Sequence, residues 1–531
     1  MPGPRLTSLL SGNVTLVSSD SFEDGDPLPP LEGFAMSSLW LDTHAVQVPH
    51  EEPFPTGTHW DSLVVGAGLT GLTTAVLLAR SGQRVLVLEA RQVGAVATGN
   101  TTGKVSLLQG AHLSAVRSAR SDEILQAYVD GNREAQSWLL RYLEERGVDY
   151  QQRPAYTYAH SPESLGMLEQ ELEACHAAGI QAQWAEVDEL PYEVAGAVRL
   201  SDQAQIQPTA VLQSLATELL ERGGFIVERT RMVGATPGPP VSIETSAGPL
   251  TGDNLVVATG SPVLDRGGHF ARMKGHRSYA QAYRLPSETP VPQGMYLGVD
   301  APGRSLRSAP VGGEELLVVG GNGHEVGRAE SPAEAVRDLE AWTHRHFPGA
   351  QRTHAWSAQD YRPADGLPYF GQIPLGGGSM FAATGFNKWG MTNGIAAALA
   401  ITSQILGGHM QWAETLAERS PSFSGLTTGA KDNASIGVRM TGDWIKAELK
   451  SLPEDPPAEG QGAVGRVGGQ PIGSSTVGGV TRHVSAVCPH MGGILTWNDA
   501  ECSWDCPLHA SRFTPEGEVL EGPAVSNLDL K

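Results

Sequence analysis

Between residues 62 and 89 the chain runs an apolar stretch, Ser62-Leu-Val-Val, into three glycines, Gly66, Gly68 and Gly71, and few folds tolerate that order. Apolar residues then recur at helical spacing (Leu72, Ala75, Val76, Ala79) up to a stop at Gly82. A second apolar run over residues 84–88 ends in Glu89. Each part has a mechanical reason. Gly66 permits a tight turn, Gly68 lets backbone approach a pyrophosphate, and Gly71 lets helix and strand pack closely. The turn and the helix start, with Ala67, Leu69 and Thr70, offer N–H groups and positive dipole to phosphates. Glu89, followed by Ala90 and Arg91, is placed to accept hydrogen bonds from adenosine ribose hydroxyls. A plain Gly-rich turn in an α/β sheet would leave that acid unexplained, so the segment reads as a dinucleotide site.

The 531 residues suffice for two or three domains, and 40% apolar with 18% charged residues is globular composition. A net charge of −21 excludes nucleic acid as a partner, because that binding begins with surplus Lys and Arg. No apolar run is long enough to span a membrane, and the start MPGPRLTSLL lacks the basic and apolar regions of an export signal. A cytoplasmic location is the expectation. Of four cysteines, Cys488, Cys502 and Cys506 crowd into the last tenth of the chain and Cys175 stands apart. That clustering suits a metal site better than a disulfide framework.

The fingerprint does not separate FAD from NAD. Later segments do. Asp253-Asn-Leu-Val-Val-Ala-Thr-Gly is a strand ending in Ala258, Thr259 and Gly260. Asp365-Gly-Leu-Pro-Tyr-Phe-Gly precedes Met380-Phe-Ala-Ala-Thr-Gly-Phe-Asn-Lys-Trp-Gly-Met-Thr-Asn-Gly and an apolar helix over 395–406. Together these resemble the D-amino-acid-oxidase-like flavoproteins, which include sarcosine and glycine oxidases, over about residues 38–408. The resemblance implies an α/β body, with a Rossmann-type FAD-binding domain and a mixed-sheet substrate domain. It implies that Gly385, Lys388, Trp389, Gly390, Met391 and Thr392 lie along the flavin ring, with Asp365 nearby. Thr98, Thr101 and Thr102 would line the phosphate and ribityl region, and Met232 or Val233 would touch adenine.

Two further glycine runs are set aside. Gly99-Asn-Thr-Thr-Gly-Lys-Val resembles a P-loop, but its glycines are one residue too close and Val105 replaces the magnesium-binding hydroxyl. Leu317-Val-Val-Gly-Gly-Asn-Gly-His lacks a following apolar strand with an acidic end, so it reads as a structural turn in the substrate domain.

Near the C-terminus Cys488-Pro-His490 is followed, after 15 intervening residues, by Cys506-Pro-Leu-His509. Two thiolates for one iron and two imidazoles for the other are the ligands of a Rieske 2Fe–2S centre. Structural zinc would group Cys with Cys and His with His. The surrounding Trp497-Asn-Asp-Ala-Glu-Cys-Ser-Trp-Asp and Ala510-Ser-Arg-Phe resemble Rieske ferredoxin-type domains, an all-β fold over about 434–531. High-potential members of that family carry one more cysteine in each loop. Here those places are Gly493 and Leu508, and Phe513 replaces a tyrosine donor. The resemblance therefore implies a potential toward the low end of roughly −150 to +300 mV.

The expected organisation is a loose leader over 1–58, anchored by Ser38-Leu-Trp-Leu-Asp, an oxidoreductase body over 59–410, a linker over 411–433 and the Rieske domain over 434–531. FAD-binding parts are expected at about 59–110, 200–262 and 355–408, and substrate parts at about 111–199 and 263–354. On one chain the two cofactors suggest a relay: a small-molecule substrate reduces FAD, and electrons leave singly through the cluster to an external protein or quinone. The superfamily mostly oxidises C–N bonds, so an amine or amino-acid dehydrogenase is the first expectation. Desaturation or reduction of a specialised metabolite is a second. A non-enzymatic electron-transfer or redox-sensing protein is a third. Arg307 is expected to hold a substrate carboxylate, Lys388 to assist the reduced flavin, and His324 and Tyr279 to face the pocket. An oxygenase iron site built from His44, His50 and Glu51 is too scattered to be credible. Self-association is open.

Overall fold

The computed structural model describes residues 36–49, 54–264, 268–418 and 451–531. His50, Glu51, most of the expected leader, residues 419–433 of the expected linker and the first part of the expected Rieske domain lie outside them.

The fingerprint builds the centre of an eight-stranded sheet. His59–Val65, Val85–Leu88, Phe225–Val227, Gly248–Val257 and Met380–Thr384 run parallel, and their cores are apolar on both faces because helices or a second layer cover each side. Tyr369–Gln372 adds an antiparallel edge, and the hairpin Met232–Thr236 with Val241–Thr245 joins Gly248–Val257. The helices Leu69–Arg80 and Gly390–Ile405 pack together so closely that a Cβ on Gly394 would meet Thr70 Oγ1 at 2.6 Å. Their N-termini therefore converge.

A nine-stranded mixed sheet forms the second layer, in the order Gln351–Pro363, Met273–Arg284, Glu314–Glu325, Arg304–Val311, Met295–Gly298, Tyr150–Ala159, Gly196–Ile206, Lys104–Val105, with Gln183–Ala185 on Gly196–Ile206. Gly196–Ile206 and Gln351–Pro363 each run unbroken across an expected boundary, at 199/200 and 354/355. The two parts of the body interleave more finely than the sequence pattern suggested. The run 317–324 is no turn. It lies in the strand Glu314–Glu325, bonded on both sides.

Gln411–Ala417, within the expected linker, is a helix. Trp412, Ala413 and Leu416 are its buried face, and the Trp412 ring occupies space that any Cβ on Gly131 would fill at 2.7 Å. Ser38 starts the short helix Leu39–Thr43 by accepting from Trp40 N, and donates to Gly99 O. Trp40 Nε1 donates to Thr101 O at 2.6 Å. Among the described residues no helix is long and apolar enough to cross a membrane.

The C-terminal domain is all β: Gly462–Val467, Gln470–Val477 and Val480–Ser485 make one antiparallel sheet. Thr496–Asn498, Ser503–Asp505, Arg512–Phe513 and Val519–Glu521 make the other. It belongs to the same compact unit as the body, residues 34–531, and buried charge joins the two. Arg277, 2% exposed on Met273–Arg284, donates through Nε and Nη2 to the Glu501 carboxylate and lies 3.5 Å from Glu521. Arg512 completes the network with Asp505, Glu501 and Glu521.

Burial alone would push the Glu501 carboxyl up, but the Arg277 and Arg512 guanidiniums override it and hold it at about 2. A carboxyl depressed on folding stabilises above its unfolded range near ~4.3 and loses that contribution as pH falls through its folded value. We expect Glu501→Gln to lower stability by about 3 kcal/mol at neutral pH. Thermal unfolding should show the gap between variant and wild type closing from pH 4 toward 2.

Candidate functional site

The converging helix N-termini, the end of the parallel sheet and the inner face of the second sheet enclose one cavity of about 800 Å³. Gly66, Gly68, Leu69 and Thr70 form one end with Glu89, Ala90 and Arg91. Gly66 sits at φ +105°, and a Cβ there would fall 2.4 Å from Ala258 O. A Cβ on Gly71 would fall 1.9 Å from Gly66 O, so Gly71 packs behind the turn rather than facing the cavity. The Glu89 carboxylate accepts from Ala67 N at 2.9 Å and Arg91 N at 2.8 Å, which straps the turn to the second strand. Burial raises its pKa, against those two N–H groups.

Thr98, Thr101, Thr102, Met232, Ala258, Thr259 and Gly260 line the same cavity. Val233, the alternative to Met232, is 42% exposed and points away. From the other end come Gly385, Lys388, Trp389, Gly390 and Met391. Thr392 is buried one step further into its helix, where it accepts from Gln109. Asn387 and Lys388 both adopt left-handed backbone, at φ +48° and +70°, a conformation costly for non-glycine residues that here turns Lys388 into the cavity. Burial lowers the Lys388 pKa, while Asp360 opposes that shift.

Two expected residues are corrected. Arg307 is 2% exposed, and its guanidinium is spent on backbone carbonyls of Thr102, Gly103, Ile206 and Ser308. It also covers the Trp40 ring at 5.2 Å. Through Nε and Nη1 the fork staples the sheet. Arg307 is absent from the cavity lining, whereas Arg362 lines it beside Asp360, and Arg91 and Arg231 line it elsewhere. Asp365 is ion-paired with Arg120 at 2.7 Å and does not reach the cavity lining. Tyr279 does line it, and its hydroxyl meets His324 Nε2 at 3.0 Å. His324 thus acts behind Tyr279.

Sequence reasoning missed His112, Gln359 and Asp360, which also line the cavity. The His112 pKa is pushed down by burial to about 4, so its imidazole is neutral. It missed as well that residues 520–522 of the C-terminal domain wall this cavity.

In the C-terminal domain, Cys488 and Cys506 are buried and hydrogen-bonded to each other, and the His490 and His509 rings stand 5.1 Å apart and perpendicular. The Cys506 contact, the Ser511 hydroxyl and the His490 N–H outweigh burial and lower the pKa of the Cys488 thiol. A Cβ on Gly493 would press on Leu508 at 2.8 Å and on Cys506 Sγ at 3.0 Å. Among the described residues no three His, Cys, Asp or Glu side chains converge on a single ion.

The ligand loop lies against the strands that wall the cavity. A Cβ on Gly275 would fall 2.2 Å from Ala510 Cβ, and one on Gly327 would fall 3.0 Å from Pro507. Gln359 Nε2 donates to Ala510 O at 2.9 Å and to the Tyr361 hydroxyl, which donates to Gly522 O. Arg328 donates to Pro507 O at 3.1 Å.

A family model described as FAD dependent oxidoreductase matches residues 61–404, and one described as Rieske [2Fe-2S] domain matches 452–530. The chain belongs to the FAD dependent oxidoreductase family. A Bacillus subtilis relative named as a Rieske 2Fe-2S iron-sulfur protein, YhfW, is 29% identical over 89% of this chain and 93% of its own. The fold is that of glycine oxidase from Geobacillus kaustophilus (TM-score 0.56, 18% identity, 66% of this chain and 96% of that one). L-proline dehydrogenase from P. horikoshii is equally similar (TM-score 0.57, 17% identity, 67% and 96%). The glycine cradle, Glu89 and the volume fit the family's FAD, and the paired Cys and His arms fit the 2Fe–2S cluster. Cys488→Ala should abolish iron, measured by metal analysis, while FAD stays bound; iron retained at wild-type level would refute the ligand assignment.

Proposed function

We propose that the chain is an amine or amino-acid dehydrogenase, acting on a CH–NH or CH–NH₂ group, whose electrons leave through the Rieske domain to an external protein or quinone. When bound, FAD supplies a two-electron acceptor and the cluster a one-electron carrier. The observation that carries the relay is the shared wall: the loop bearing Cys506 and His509 lies on the strands that enclose the flavin cavity, and Gly522 closes it. A protein that used its two groups separately would have no need of this contact.

The residues do the rest. Glu89 and the first helix N-terminus hold the adenosine and pyrophosphate end, and Gly390 and Met391 begin the helix that meets the ring. Arg362 offers a fork for a carboxylate, with Asp360 3.9 Å from its Nε. Tyr279, braced by His324, supplies a hydroxyl that burial keeps protonated. The neutral His112 accepts from Asn387 Nδ2 through Nδ1, which leaves its Nε2 as an N–H donor. Residues 520–522 exclude water on the side facing the cluster.

The test is anaerobic mixing with a panel of amines and amino acids, following flavin bleaching and the EPR signal of the reduced cluster together. Both should appear with a true substrate; bleaching without timely cluster reduction would overturn the relay, and a silent panel would overturn the substrate class. Gly275→Val separates contact from chemistry. Forcing a side chain against Ala510 should cost ~1–3 kcal/mol in overpacking and delay cluster reduction, with bleaching unchanged.

A further inference from the structure

We propose that the strand segment Gly320-Gly321-Asn322-Gly323, with Lys104 at one end and Lys388 at the other, is a platform for a substrate bearing two carboxylates, one held at each lysine. This rests on the reading that the cavity takes FAD and a small-molecule substrate.

Three of the four platform residues have no side chain, so the wall is bare backbone. A Cβ on Gly320 would lie 3.8 Å from Thr102 Cγ2, and one on Gly323 would lie 3.2 Å from Lys388 Nζ, so both glycines face the cavity. Three residues apart on a regular strand they would face opposite sides. Asn322, at φ +52°, and a register shift between Arg277 and Tyr279 on the adjoining strand reset the alternation. The Asn322 side chain is locked behind the wall by Arg304, Asp338 and Ala335 O.

Lys104 Nζ donates to Ser305 Oγ and Tyr296 O, both at 2.7 Å, and Ser305 pairs with Gly320. Its amine thus sits at the Gly320 end, three residues of strand from Lys388, or roughly 10 Å. Contacts of about 2.8 Å at each ammonium leave about 4–5 Å between the nearest carboxylate oxygens, the span of a two- or three-carbon chain.

The charges need anions. Among the described residues no carboxylate pairs with Lys104, and the charged neighbour acting on it is Arg307, a second cation already spent on carbonyls. Burial and Arg307 bring the Lys104 amine down to about 7. Lys104, Lys388 and Arg362 line the cavity with Asp360, whose own pKa burial raises, and with Glu521, which lies 3.5 Å from Arg277 and 3.7 Å from Arg512 in the joint. A chain of net charge −21 has concentrated cations where a substrate would lie.

The test titrates the oxidised, FAD-loaded protein with glutarate and with pentanoate, reading the flavin absorbance. Glutarate should bind at least about tenfold more tightly. Lys104→Met and Lys388→Met should each bring glutarate down to the level of pentanoate, and Lys104→Arg should keep part of the preference. Equal affinities in the wild type would overturn the proposal, and that comparison decides even if a variant loses FAD. A preference retained in Lys104→Met, with a lowered flavin midpoint potential, would also overturn it and assign Lys104 to the flavin. No turnover is needed. A silent amine panel with an intact glutarate preference would therefore sink the oxidation reading and leave this one standing.

Discussion

The arrangement of this protein turns on one buried guanidinium. Arg277 leaves the strand Met273–Arg284 of the body and enters a set of three carboxylates belonging to the C-terminal domain. A buried charge without partners is strongly unfavourable, so neither face of this joint is content alone. The body would hold an unpaired arginine, and the C-terminal domain Glu501, Asp505 and Glu521 against the single Arg512. Docking is thus specified by charge as well as by shape, with Gly275 and Gly327 supplying the close approach. The same strand supplies Tyr279 to the cavity two residues later, so one β-strand fixes both the joint and the site.

The parts legible in the sequence were those in which backbone geometry demands a residue type at a fixed spacing. Gly66 and Gly71 could be read because no other residue fits against Ala258 O and Gly66 O. Glu89 could be read because it ends the second strand of a parallel pair. The four cluster ligands could be read because Cys-x-His and Cys-x-x-His have few other uses. What sequence could not supply was adjacency between distant segments. Nothing in Gly275 or Ala510 announces that they touch, and residues 520–522 carry no sign of facing a flavin site that begins more than 400 residues earlier.

The exchange of Arg307 for Arg362 has the same origin. Both lie on strands of the second sheet, and a strand period of two cannot say which face meets the cavity until the register is known. Arg307 falls on the face that meets Trp40 and the carbonyls of 102–103, where its planar fork closes a gap between the strand Lys104–Val105 and its neighbours. The glycine run at 320–323 was misread for a related reason. Glycines usually mark turns, but here they sit in a paired strand and keep a wall bare, a use that becomes visible only once the opposite wall is known.

Placing the C-terminal domain as a wall of the cavity also constrains how the two halves can work. If residues 520–522 close the site, the domain cannot swing away between reductions without opening the pocket to water and breaking the Arg277 network. A joint built from buried charge does not open cheaply, so the wall that residues 520–522 give the cavity is as fixed as the strands beside it.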